Sequence, residues 1–465
     1  QRHVDPCARD VTATPLHARA DAAATAEVRE IDGRRVVWFR VAGGPHHGAI
    51  GLAGGATVER AVELAGQLGL PLVGELDSAG AELNEHVAAL HAWGRIARAL
   101  TNVSGRVPML VAVTGACVSG PALIVGLFDV VVMTEDAFAY VSGPDAASEF
   151  TGVPVDRVTL GGATVHAKHS GVSTLLVEDA DAARDVLAHV LSYLPDHHLA
   201  DPPVAGAGDA RDRWCDGAAT AIPDRPTASY DVHAVIDEVC DAESFFELRP
   251  HYASNIVTGL ARLDGRPIGV VANVARQRAG AIDIEASRKA ARFVAMCDAF
   301  NLPIVTFVDT PGFEPGRDLE WRGMIRHGAE LVHAYSAATV PRLCVVMRKA
   351  FGGAYIVMDS RGIGNDLCVA WPTAEIAVMG GPAAVKILHG RRLALLEGDD
   401  AVIEEQRLVG EYETAFSNPY RAAELGLVDA VIEPGETRRV LCDALEVLAT
   451  KRDGQPRRRH SNTPL

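Results

Sequence analysis

The sequence predicts an α/β protein built as two tandem homologous domains. Three observations carry this prediction. Landmarks in the first half recur in the second at a nearly constant offset. Apolar strand-like runs alternate with helix-like stretches in both halves. A Pro/Gly/Asp-rich stretch from Asp201 to Pro226 has the composition of a seam between domains. The predicted domains are residues 1–225 and 226–465.

In chain order, "GLPLVGELDSAG" (Gly69 to Gly80) parallels "NLPIVTFVDTPG" (Asn301 to Gly312), and Asp77 and Asp309 lie 232 residues apart. Both segments open on Leu-Pro, run apolar as a buried strand does, and end on Asp followed by Ser or Thr. A helical pattern follows in each half, Val87 to Leu100 and Met324 to Ala338. Next, "RVPMLVAVTGACVSGPAL" parallels "TVPRLCVVMRKAFGGAYI", with Pro108 and Pro341, and Gly120 and Gly353, each 233 apart. Finally "VVVMTEDAFAYVSGP" parallels "LCVAWPTAEIAVMGGP". Each half therefore reads strand, turn, helix, strand, small-residue turn, helix, strand, and a shared period of this kind is the mark of a duplicated unit.

Composition removes several function classes. The 465 residues carry a net charge of -16, and the only basic run is Arg457 to His460 in the tail, so a nucleic-acid-binding role is not expected. Hydrophobic residues make up 48% and charged residues 22%, as in soluble globular proteins. The uncharged stretch Met109 to Phe128 is long enough to span a bilayer, but Gly115, Gly120 and Pro121 interrupt it, and it is read as a buried strand and helix. The opening "QRHVDPCARD" lacks the apolar core of a signal peptide. Eight cysteines include no Cys-x-x-Cys pair, and several lie in apolar runs, which predicts a reducing, cytoplasmic setting and no structural zinc. Seventeen histidines form no His-Glu-x-x-His, so no metal site is expected.

The small-residue turns are the strongest chemical signal. A strand that passes through small residues into a helix exposes backbone N–H groups that have no partner within the helix. A ligand oxygen can approach them closely where side chains are small, and they can stabilise a developing oxyanion such as a thioester enolate. Two such turns at equivalent places favour function over simple tight turns. "VDTPGF" (Val308 to Phe313) carries an Asp-x-x-Gly, but no phosphate-binding loop precedes it. Ser119 lies in "CVSGPA" rather than Gly-x-Ser-x-Gly, so the sequence gives no nucleophile elbow.

The segments "FVDTPGFEPG", "GMIRHGAELVHAYSAATVP", "RKAFGGAY", "AWPTAEIAVMGG" and "RRRHSNTPL", with "GRVPMLVAVTGACVSGPAL" and "GGATVHAKHSGV" in the first half, resemble the carboxyltransferase (beta) subunit of biotin-dependent acyl-CoA carboxylases. The resemblance covers about residues 65–465 and is densest in the second half. It implies two crotonase-like domains of spiralling ββα units, the first on the CoA side and the second on the biotin side. It implies a site shared between subunits of a homohexamer, and a carboxyl group moved from carboxybiotin to the α-carbon of a short-chain acyl-CoA through an enolate. The implied catalytic residues are Gly353 and Ala354 in the second half and Ser119 and Gly120 in the first, with Gly352, Pro121 and Ile356 binding substrate. Ile356 occupies a position that lines the family's acyl pocket, and its apolar side chain points to acetyl-CoA or propionyl-CoA. No Met-Lys-Met biotinylation motif and no ATP-binding loop is present, so the resemblance implies a biotin carboxylase and biotin carboxyl carrier partner.

The chain departs from the family pattern in its first half. The region ahead of the first core strand is short, Glu82 stands where an arginine is usual, and the usual Gly-Gly turn reads Ser119-Gly120 followed by Pro121, which has no N–H. Two further readings follow: a catalytically weak structural or regulatory subunit of a carboxylase complex, and a biotin-dependent acyl-CoA decarboxylase subunit.

Overall fold

Two Asp-Gly pairs, Asp32-Gly33 and Asp264-Gly265, set the frame of the fold, which was obtained as a computed structural model. Both residues of each pair have positive φ, the backbone of a two-residue hairpin turn whose twist matches its strands. The structure describes residues 14–15, 23–44, 46–223, 225, 228–451, 453–454 and 461–464. The N-terminal segment 1–10 and the basic tail 457–460, both singled out in the sequence, lie outside the described residues.

The described chain divides into two units, Gln1–Pro202 and Pro203–Leu465. In the first, the strands are β1 (Thr14–Pro15), β2 (Ala24–Ile31), β3 (Arg34–Val41), β4 (Leu72–Ser78), β5 (Met109–Val118), β6 (Val130–Thr134), β7 (Phe138–Tyr140) and β8 (Leu175–Val177). They form one sheet in the order β1-β2-β3-β4-β5-β6-β8, with β7 also paired to β5. In the second unit, β9 (Phe246–Leu248), β10 (Ile256–Leu263), β11 (Arg266–Asn273), β12 (Ile304–Thr310), β13 (Arg342–Phe351), β14 (Leu367–Ala370), β15 (Glu375–Ala377) and β16 (Ala430–Val431) repeat that order strand for strand, with β15 paired to β13. In each unit the hairpin is antiparallel and the strands that follow it pair in parallel. The predicted α/β duplication is thus present, and it begins one hairpin earlier than the sequence landmarks.

Strands buried on both faces explain the near-continuous apolar runs that mark β5 and β13. Met109 to Val113 and Leu343 to Met347 are all inaccessible to solvent. Helices α1 (Leu52–Leu68) and α2 (Val87–Val103) cover the first sheet with Val58, Ala61, Val62, Ile96 and Leu100. The uncharged stretch Met109 to Phe128 is strand β5 followed by the short helix α3 (Gly120–Val125), as its glycines and proline indicated. Among the described residues no helix is long and apolar enough to cross a membrane. Seven cysteines are free and buried; Cys7 lies outside the described residues.

The division falls within the stretch expected as a seam, but after Pro202 rather than at 225/226, so most of that stretch belongs to the second unit. The reason is packing. Cys215, Ala218 and Ile222 join the second core, and the Arg438 guanidinium donates to the Ala210 and Val239 carbonyls and pairs with Asp241 at 2.7 Å. Arg438 is fully buried and Asp241 nearly so. Removing one partner of a buried pair strands the other charge, so Arg438→Met is expected to destabilise the second unit by about 3–5 kcal/mol. Urea unfolding followed by the fluorescence of buried Trp371 measures this; an unchanged midpoint would remove Arg438 from the account.

Candidate functional site: two strand-to-helix turns

In the second unit, β12 carries an irregularity between Val308 and Thr310 where it pairs with β13. Asp309 sits in it. Its Oδ1 accepts the Lys349 N–H at 3.1 Å, and its Oδ2 accepts from Arg348 Nε at 3.0 Å and Nη2 at 2.9 Å. Arg348 also donates to the Ala228 carbonyl at 2.8 Å and lies over the Tyr230 ring at 5.0 Å. Both charges of the pair are buried. The carboxylate thus satisfies the N–H that the irregularity frees and holds the end of β13 in place, as buried polar groups require.

Beyond Phe351, the chain turns at Gly352 with φ 61° and enters a short helix, Gly352–Val357. A side chain is rarely tolerated at that φ, and a Cβ there would also lie 3.1 Å from the Val378 carbonyl oxygen. The N–H groups of Gly353 and Ala354 have no partner among the described residues. The Phe313 ring stands 3.5 Å from the position a Gly353 Cβ would take, and Phe313 rests on Ile284, Leu319 and Met324. Ile356, two residues along, is 41% exposed. This turn offers two free donors beside an aromatic wall and an open apolar side chain.

The first unit repeats the construction with different residues. The irregularity lies between Leu76 and Ser78, and Asp77 Oδ1 accepts the Ala116 N–H at 2.9 Å. Gly115 stands where the second unit has Arg348, and among the described residues no cation pairs with Asp77. Ser119 takes the place of Gly352, and with φ 64° and ψ -121° it holds the same positive φ. Such a backbone costs a non-glycine residue about 1–3 kcal/mol. Its N–H donates to the Tyr140 carbonyl at 2.9 Å. The expectation that this N–H serves the pocket is therefore corrected: pairing at the end of β5 has already used it. Gly120 and Ala122 keep free N–H groups among the described residues, and Pro121 between them has none. Gly120 has to be glycine, since a Cβ there would meet Trp93 Cγ of α2 at 2.8 Å. Burial pushes the adjacent Cys117 thiol up to about 12, which leaves it inert.

Glu82, where the family tends to arginine, is internally matched. It accepts the Asn84 N–H at 3.0 Å and pairs with His46, and the Asn84 N–H and His46 together hold its carboxyl below the usual range. In the second unit Glu314 pairs with Arg278 in the equivalent place. Among the described residues no group of three or more His, Cys, Asp or Glu side chains is arranged to hold a metal.

Sequence reasoning found both turns but missed what fixes them. The Asp77 and Asp309 landmarks were visible, while their bonds across the strand irregularities were not. Two adjacent cations, Arg348-Lys349, at the end of an apolar strand run were the available signal that a buried partner was needed. The supports from Trp93 and Phe313 left no pattern.

A carboxyl transferase domain model matches residues 10–463, reaching well ahead of the segments that carry the sequence resemblance. The carboxyltransferase subunit of propionyl-CoA carboxylase from Haloferax mediterranei is 44% identical over 437 residues, covering 94% of this chain and 84% of that one. The methylmalonyl-CoA decarboxylase alpha subunit of Veillonella parvula is 39% identical over 436 residues, with coverage of 94% and 84%. The transcarboxylase 12S crystal structure, a hexamer with methylmalonyl-coenzyme A and methylmalonic acid bound, superposes with a TM-score of 0.91 at 37% identity, covering 95% of this chain and 84% of that one. With its two equivalent sheets and paired turns, the chain belongs to the carboxyl transferase domain family.

Proposed function

We propose that this chain is the carboxyltransferase subunit of an acyl-CoA carboxylase and acts on a short-chain acyl-CoA, propionyl-CoA or acetyl-CoA. The observation that carries this reading is the pair of equivalent turns, each presenting backbone donors with no internal partner. Carboxybiotin, held on a biotin carboxyl carrier partner, supplies carbon dioxide and a ureido nitrogen base when bound. The free N–H groups of Gly353 and Ala354 would hold the ureido oxygen, with Phe313 as the wall, and the missing Cβ at Gly353 leaves room for the ring. In the first unit, Gly120 would hold the thioester oxygen as the α-proton leaves and negative charge moves onto it. Fixed donors of this kind need no reorganisation as charge develops. This chain therefore contributes placement and charge stabilisation. The homo-oligomer, hexameric as in the transcarboxylase core, and the cytoplasmic setting belong to the same proposal.

Pro121 favours a second reading, a catalytically weak subunit that shapes a carboxylase complex, because it removes one donor from the first turn. One assay separates the two: purified protein with methylmalonyl-CoA and free biotin, followed for decarboxylation, the transfer run backwards. Biotin-dependent turnover is expected. Absence of both turnover and CoA binding would overturn the enzyme reading.

Ala354→Pro would copy the first-unit sequence into the second, and proline is tolerated in the first turn of a helix. It is expected to keep the fold and lower kcat by about 100- to 1,000-fold; an unchanged kcat would show that the Ala354 N–H is not a donor. Ile356→Asp is expected to change the ratio of propionyl-CoA to acetyl-CoA carboxylation in the complex reconstituted with its biotin-bearing partner. A constant ratio would remove Ile356 from substrate choice.

A further inference from the structure

The first-unit turn holds a contradiction that its own chemistry resolves. Its sequence gives up one backbone donor at Pro121, and strand pairing uses another at Ser119. Yet the same turn keeps a serine on a backbone, φ 64° and ψ -121°, where the second unit uses glycine at φ 61°. Packing does not explain the side chain. Ser119 is exposed, its Cβ lies 3.8 Å from where a Cβ on Gly80 would stand, and its hydroxyl has no hydrogen-bond partner among the described residues.

A strand that turns through a positive-φ serine into a helix has a known consequence. The serine oxygen and the N–H of the next residue converge on one carbonyl group, as in a nucleophile elbow. Here the next residue is Gly120, whose N–H is free. A nucleophilic role would need a base, and no His, Asp or Glu among the described residues hydrogen-bonds to Ser119. The hydroxyl therefore remains neutral and able to donate.

We propose that the Ser119 hydroxyl is a catalytic donor to the thioester oxygen, taking the place of the N–H that Pro121 lacks. With Gly120 it restores a two-donor pocket on the CoA side. No covalent step is involved: the O–H bond stays intact and its hydrogen bond strengthens as enolate charge develops. This inference rests on the carboxyltransferase reading.

The test uses the full-length protein in the biotin-dependent decarboxylation of methylmalonyl-CoA, with thermal unfolding measured in parallel. Ser119→Gly is expected to lower kcat by about 100-fold, with KM little changed. The unfolding midpoint should stay level or rise, because glycine relieves the positive φ. Ser119→Ala, which keeps the Cβ and the strain, should lose the same activity. Ser119→Gly combined with Pro121→Ala should recover most of it, since alanine returns an N–H. Wild-type kcat in Ser119→Gly, or a double variant as slow as the single one, would overturn the proposal while leaving the carboxyltransferase reading in place. Release of CoA thiol without decarboxylation, abolished by Ser119→Gly, would show a nucleophile and overturn the donor role. A wild-type protein without turnover would overturn both.

Discussion

The structure depends most on one carboxylate in each unit, Asp77 in the first and Asp309 in the second. Each sits where its strand slips register against the next, and each captures the N–H that the slip frees. An unpaired backbone donor buried at that point would be costly. With the carboxylate present, the strand can run past its partner and end in a sharp turn whose next donors stay free. Placement of these free backbone N–H groups is therefore a consequence of strand pairing.

That frame is filled differently in the two units. In the second, Arg348 balances Asp309, and Gly352, Gly353 and Ala354 complete a turn made almost entirely of backbone. In the first, Gly115 stands in place of Arg348 and Asp77 has no cation partner among the described residues, and Ser119, Gly120 and Pro121 replace the three small residues. Glu82, a reversed charge in the sequence, is held by hydrogen bonds from the Asn84 N–H and His46. The departures from the family thus fall into two kinds. Glu82 is hydrogen-bonded locally, while Pro121 changes the donor set and Ser119 offers the means to restore it.

Much of this was legible because duplication writes itself twice. The Leu-Pro openings, the Asp landmarks and the small-residue turns keep their spacing since insertions between buried parallel strands disturb both faces of a sheet. The Asp32-Gly33 and Asp264-Gly265 hairpins were equally legible but lay ahead of the segments compared. The division falls at the start of the linker-like stretch Asp201 to Pro226 rather than at its end for a physical reason: Arg438 pins Ala210 and the second core takes in Cys215 and Ile222. Such long-range contacts leave no local pattern. Lys289 is a similar case: it is buried, with its ammonium donating to the Arg249, Tyr252, Ala253 and Ile256 carbonyls.

The central claim is that both turns bind oxyanions, one from the thioester and one from biotin. A crystal structure of the protein with propionyl-CoA and biotin tests it directly. The account predicts the thioester oxygen about 2.7–3.1 Å from the Gly120 nitrogen and the Ser119 hydroxyl, and the ureido oxygen at a similar distance from the Gly353 and Ala354 nitrogens. A thioester oxygen bound away from the Ser119-Gly120 turn, or biotin seated away from Gly353 and Ala354, would contradict it.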